Sequence, residues 1–159
     1  MAKIEEIKIE ELNTQEFITE KIKEISSLVG EGLAINALSG GVDSSCVTML
    51  GHKALGRRLK TYFIDNGLMR EGEPKKIVSL FKDLGVSVEL VDAQKQFFAA
   101  LKGITDPEEK REAITQTFYK DVFGDLAHIA DNMVCHSLNR SAARLIDFPV
   151  ARVPNKKHF

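Results

Sequence analysis

Residues 32–55 constrain the fold of this chain more than any other stretch. Gly32-Leu-Ala-Ile-Asn-Ala-Leu38 is a short, mostly apolar run with no alternation, broken by the Gly40-Gly41 pair. Helical spacing then resumes over 43–55 through Val47, Leu50 and Ala54. An apolar run without alternation, bounded by turn residues, reads as a strand covered on both faces, which is what a parallel sheet requires. The pattern then repeats. Residues 59–64 (LKTYFI) form a second apolar run, stopped by Asp65-Asn66-Gly67. Glu73-Pro74 opens a helix, with proline at a tolerated first-turn position. Its buried face is expected to hold Ile77, Leu80, Phe81 and Leu84. Residues 86–91 (VSVELV) read as a third strand. Phe97, Phe98 and Leu101 suggest a short helix ending at Gly103, with Phe97 and Phe98 read as core rather than as a stacking platform. Asp106-Pro107 is an N-cap and first-turn pair. Ile114, Phe118 and Val122 give the helix that follows its apolar stripe. Ahead of all this, Asn13 and Glu16 have capping-box spacing, and Ile18, Ile22, Ile25 and Val29 predict an amphipathic helix over 14–29. Helices alternating with strands predict an α/β fold, a parallel sheet with helices on both faces and right-handed crossovers.

The remaining composition excludes more than it selects. A chain of 159 residues fits one domain, and 43% hydrophobic residues supply a core. The net charge of −1 gives no global pull toward nucleic acid or membrane. No apolar run approaches the roughly 18 residues of a membrane span. Residues 1–12 are a charged N-terminal stub without an apolar signal core, so a cytoplasmic location is expected. Cys46 and Cys135 make neither a disulfide framework nor a metal spacing, and Cys46 is expected as a small core side chain. Cys135-His136 offers two adjacent ligands, which make no metal site.

The chemistry sits in the break between the first strand and its helix. Ser39-Gly40-Gly41-Val42-Asp43-Ser44-Ser45 lies where a parallel sheet presents ligands, beyond the carboxyl end of a strand. Two glycines let backbone approach an anion closely. Serine hydroxyls and the first N–H groups of the helix add donors, and together they make a phosphate nest. The GxxxxGK[ST] pattern is absent, so this is not a Walker loop. Asp43 places a carboxylate beside a polyanion, which calls for a compensating cation such as Mg²⁺.

SGGVDSS resembles the signature of the N-type ATP pyrophosphatases, the PP-loop proteins. The stretch from about 34 to 123 resembles more narrowly the ATP-pyrophosphatase domain of glutamine-hydrolysing GMP synthetase. The residues that carry this are LSGGVDSS (38–45), IDNGLMREGE (64–73), DPEEKR (106–111) and FYKDVF (118–123). A stand-alone group of synthetase-like pyrophosphatases shares these motifs. The resemblance implies a Rossmann-like sheet of the adenine nucleotide alpha hydrolase kind, and ATP and Mg²⁺ as cofactors. It implies that xanthosine monophosphate (XMP) attacks the α-phosphate of ATP, that pyrophosphate leaves, and that ammonia from a glutaminase subunit then displaces AMP to give GMP. Carried onto this chain, Ser39, Gly40, Gly41, Val42, Asp43, Ser44 and Ser45 would hold the phosphates. Asp43 and Ser44 would be catalytic, and Asp43 would also face the metal. Ile64 and Asp65 would border the adenosine, and Arg70 would be a charge partner or a solvated loop residue.

The likeness assigns 13–124 to an ATP-pyrophosphatase core and leaves 125–159 as a divergent C-terminal segment. Truncation or a reading-frame change near residue 124 would produce that pattern. In the family the strand entering the signature loop is central, so here it needs a neighbour. Residues 132–136 could fill the gap, or a second copy in a homodimer. Residues 126–133 could instead extend the preceding helix, 137–145 could add helical turns, and 150–159 is expected to dangle. Two further readings stand beside the enzyme: an ATP-binding module without turnover, and a relative acting on another acceptor such as tRNA. The last lacks support, as there are no paired cysteines and no basic face.

Overall fold

The computed structural model describes residues 13–122 and 124–126 in full, and the backbone of 135–137. The expectations for 1–12, 127–134, 137–145 beyond Ser137, and 150–159 lie outside the described residues. Helix α1 spans Thr14–Val29. Strand β1, Leu33–Leu38, leads into α2, Val42–Leu55. A 3₁₀ turn, Gly56–Arg58, passes to β2, Leu59–Asp65, and then to α3, Glu73–Asp83. Strand β3, Val88–Asp92, is followed by α4, Gln94–Leu101, and α5, Pro107–Gln116. Residues Thr117–Val122 continue α5 as a π-helical turn, and β4 is Cys135–Ser137.

Caps read from sequence are made. The Asn13 side chain accepts from the Glu16 N–H at 3.2 Å and starts α1. Asp106 Oδ1 accepts from the N–H groups of Glu108 at 2.9 Å and Glu109 at 3.0 Å and starts α5. Arg58 closes the other end of α1 by donating to the carbonyls of Gly30 and Gly32.

The sheet runs β3-β2-β1-β4, with every pairing parallel. Alternation along β1 divides the core. Ala34 packs with Ile25, Val29, Leu55 and Leu59 under α1 and α2. Leu38 packs with Phe63, Phe81 and Val86 under α3. Ile35 and Ala37 face the opposite side, with Ile64, Ala93, Phe97 and Val122, under α4, α5 and the π turn. Consecutive crossovers in one direction put α2 and α3 on one face. The return from β3 across β1 puts α4 and α5 on the other. Strand β4 lies beside β1, with Leu33 opposite Cys135, Ala34 opposite His136 and Ile35 opposite Ser137. The gap that the sequence left open is therefore filled from within the chain.

Four expectations need correction. Phe98, expected as core, is half exposed, because its neighbour Phe97 takes the inward face of α4. Residues 86 and 87 do not belong to β3. The Val86 N–H instead closes the end of α3 on the Phe81 carbonyl at 2.9 Å, and its side chain is buried there. Leu80 and Leu84 are half exposed, because Ile77, Val78 and Phe81 already cover the two strands beneath α3. Cys46 is exposed rather than core. The inward face of α2 is set by Thr48, Gly51 and Leu55, and residue 46 lies roughly 200° around the helix from Thr48.

Candidate functional site

Strand order reverses between β1 and β4, so the chain leaves neighbouring strands toward opposite faces. In open α/β sheets, ligands bind at such a switch point, beyond the carboxyl ends of the strands. The loop Ser39–Gly41 and the first turn of α2 stand at the carboxyl end of β1, at this point.

Within the loop, the residues are bonded mainly to one another. Ser44 Oγ is the hub. It accepts from the Ser39 N–H at 3.2 Å, lies 2.9 Å from Ser39 Oγ, and donates to the Gly41 carbonyl at 3.1 Å. Ser45 Oγ donates to the same carbonyl at 2.7 Å, and the Ser45 N–H reaches it at 3.1 Å as the first helical bond. Gly40 takes φ +81°, a conformation that side chains resist. A Cβ there would meet Ile77 Cγ1 at 3.4 Å, ordinary van der Waals contact, so the constraint is the backbone conformation. Gly41 caps α2 without a side chain, so nothing of its own covers the helix end. The N–H groups of Val42, Asp43 and Ser44 precede the first helical bond and face outward without intrahelical acceptors. Val42 is 79% exposed, far above what a core valine shows, and Asp43 is exposed beside it. The arrangement is a pre-folded turn of donors at the positive end of a 14-residue helix, suited to an extended anion.

The end of β2 forms the second part of the rim. Asp65 is tied down by three bonds: the Gly67 N–H at 2.9 Å, Gln94 Nε2 at 3.1 Å, and its carbonyl to the Ala93 N–H at 3.0 Å. Gly67 at φ +73° lies against Phe98, whose ring is half exposed. The Ile64 side chain is buried on the far face of the sheet, so what it presents at the strand end is backbone. Arg70 is exposed at the start of α3, where its N–H bonds Glu73 Oε2 at 3.1 Å and its carbonyl accepts the Glu73 N–H at 3.0 Å. Ser39, Gly41, Ser44 and Ser45 are thus brought together by direct bonds. Ile64 and Asp65 end the neighbouring strand β2, and Arg70 lies in the loop that follows it. Sequence reasoning missed Gln94 as the holder of Asp65. It also missed Asn36 and Thr48 behind the loop, although Asn36 is the one polar residue in the run 33–38.

Comparison with known proteins agrees with this geometry. The model of the NAD synthase family matches residues 11–130. The chain belongs to this PP-loop family. Among curated relatives, a subunit of the glutamine-hydrolysing GMP synthase of Archaeoglobus fulgidus is 53% identical over 109 residues, 69% of this chain and 35% of that protein. The corresponding subunit of Pyrococcus furiosus is 51% identical over 114 residues, 71% of this chain and 36% of that protein. The chain therefore spans about a third of the length of these relatives. Among solved structures, an NH3-dependent NAD synthetase from Campylobacter jejuni superposes with a TM-score of 0.62 at 17% identity, covering 76% of this chain and 54% of that one. An NAD+ synthetase from Burkholderia pseudomallei gives 0.56 at 15% identity, over 87% and 77% of the two chains. These likenesses establish the PP-loop fold, of the adenine nucleotide alpha hydrolase kind, for this sheet. Among the described residues no helix is long and apolar enough to cross a membrane.

Proposed function

We propose that residues 13–124, with β4 as a fourth strand, form the ATP-pyrophosphatase part of a GMP-synthetase-like amidotransferase. The supporting observation is the SGGVDSS loop, held open by its own serines at the switch point of a PP-loop sheet. The relatives at about 50% identity, named as a subunit of GMP synthase, supply the choice of branch.

In this reading Ser39, Gly41, Asp43, Ser44 and Ser45 hold the β- and γ-phosphates of ATP, with Gly40 and Val42 shaping the turn. The purine carbonyl oxygen of XMP attacks the α-phosphorus. The bond to the β-phosphate oxygen breaks, and pyrophosphate leaves with the extra negative charge. The Val42, Asp43 and Ser44 N–H groups and the dipole of α2 stabilise that growing charge. Ammonia from a partner glutaminase then displaces AMP from the activated carbon. The end of β2, from Phe63 to Gly67, borders the adenosine, and the exposed Arg70 offers a positive charge to the phosphates.

Mg²⁺ fits this residue set. Among the described residues no group of three or more His, Cys, Asp or Glu could hold a metal by itself. Magnesium bound with ATP needs only one or two carboxylates beside phosphate oxygens and water. Asp43, exposed in the first turn of α2, would be that carboxylate, and the ion would neutralise phosphate charge.

The test is product analysis with Mg-ATP, XMP and either ammonium or a cognate glutaminase. AMP and pyrophosphate in equal amounts, formed only with XMP present, are expected. ADP and phosphate, or AMP release indifferent to XMP, would refute the assignment. Mg-ATP binding with no AMP at all would leave a nucleotide-binding module without turnover.

A further inference from the structure

Directly behind the loop, the middle of β1 holds a buried polar wedge. Asn36 is fully buried in an otherwise apolar strand, and Thr48 is fully buried on the inward face of α2. Asn36 Nδ2 donates to Thr48 Oγ1 at 2.6 Å, and Thr48 Oγ1 donates to the Ser44 carbonyl at 2.7 Å. A hydroxyl has one proton to give. Because Thr48 spends its proton on Ser44, Asn36 must face it with the NH₂ end, and the direction of the relay is set. The relay ends on Ser44, the residue whose hydroxyl organises Ser39 and Gly41. The wedge is not built for stability. Asn36 Oδ1 is buried without a hydrogen-bond partner, and so is Thr61 Oγ1 at the paired position on β2. Unsatisfied buried polar atoms cost free energy that a leucine or valine of similar size would avoid.

We propose that Asn36 and Thr48 are positioning residues for the phosphate loop: the Asn36–Thr48–Ser44 relay pins the first turn of α2 to the central strand and so aims its free N–H groups. The inference rests on the phosphate-binding reading of the loop, but its mechanical half can be tested without a ligand. Replacing both polar partners by apolar groups of similar shape removes the relay without leaving a new orphan.

The experiment compares Asn36→Leu/Thr48→Val, Thr48→Val and Thr48→Ser with the unaltered chain in two readouts. One is hydrogen exchange of the Ser39–Ser45 amides, and the other is the affinity for Mg-pyrophosphate. The double variant is expected to keep or raise its melting temperature. Its Ser39 amide is expected to exchange about fivefold to tenfold faster, and its pyrophosphate affinity to fall by a similar factor. Thr48→Ser, which keeps the hydroxyl, is expected to restore both. A purely structural wedge would move global protection and leave the loop amides unchanged relative to it, and that result overturns the proposal. If the unaltered chain does not bind pyrophosphate, the functional reading falls, and the exchange of the loop amides alone decides the positioning role. Loop exchange that speeds up while affinity stays within twofold would also overturn it.

Discussion

At the scale of single residues, the loop depends on groups that touch one another rather than on a lone catalytic side chain. Ser39 contributes one hydroxyl to the hub at Ser44 and lies exposed. Ser39→Ala is therefore expected to change unfolding free energy by less than about 0.5 kcal/mol. It should weaken Mg-ATP affinity about threefold to tenfold, as loss of one hydrogen bond does. Calorimetric titration beside a denaturant melt checks both halves. Gly40 behaves oppositely. Its φ of +81° means that Gly40→Ala should lose about 1–3 kcal/mol of stability as well as ligand affinity. A Gly40→Ala variant as stable as the parent would show that the turn is not held as described. The sequence already displayed these glycines and serines as a nest. It could not display Ser44 as the hub, because that role comes from contacts between residues five apart in the chain. Asn36 was visible as the one polar residue of an apolar run, but only the position of Thr48 on the facing helix explains it.

Among the elements, helices with side-chain caps were legible almost to the residue, because a cap is a local contact. Asp106 satisfies two N–H groups of α5, and Asp106→Ala should cost about 1 kcal/mol. The site should be left unchanged, since α5 packs on the face of the sheet opposite α2 and α3. A drop in melting temperature with unaltered Mg-ATP affinity is the expected pair of results. Helix faces were less legible. Spacing placed Leu80 and Leu84 inward, and residue type placed Cys46 there, yet which stripe turns inward depends on the strands below. Two strands at the end of the sheet are already covered by Ile77, Val78 and Phe81, leaving Leu80 and Leu84 outside. The π turn at Thr117–Val122 was also invisible, although the expected stripe of Ile114, Phe118 and Val122 does pack into the core.

Over the whole molecule, the order β3-β2-β1-β4 turns a strand–loop–helix motif into a site, because it places the loop where the winding reverses. The parallel α/β class was readable from alternation. The fourth strand was only one of several readings of 132–136, since a three-residue strand carries no periodicity of its own. His136→Pro tests it. Proline removes a backbone donor in the segment paired with Ala34, so a loss of about 1–3 kcal/mol is expected in a denaturant melt. An unchanged midpoint would mean that β1 does not rely on this neighbour.

The central claim is that the Ser39–Ser45 loop grips the pyrophosphate half of ATP, and amide-resolved magnetic resonance during titration with Mg-pyrophosphate tests it most directly. Saturable shifts centred on Gly41, Val42, Asp43 and Ser44, displaced competitively by Mg-ATP, are predicted. Shifts confined to other parts of the chain, or none at millimolar ligand, would contradict it.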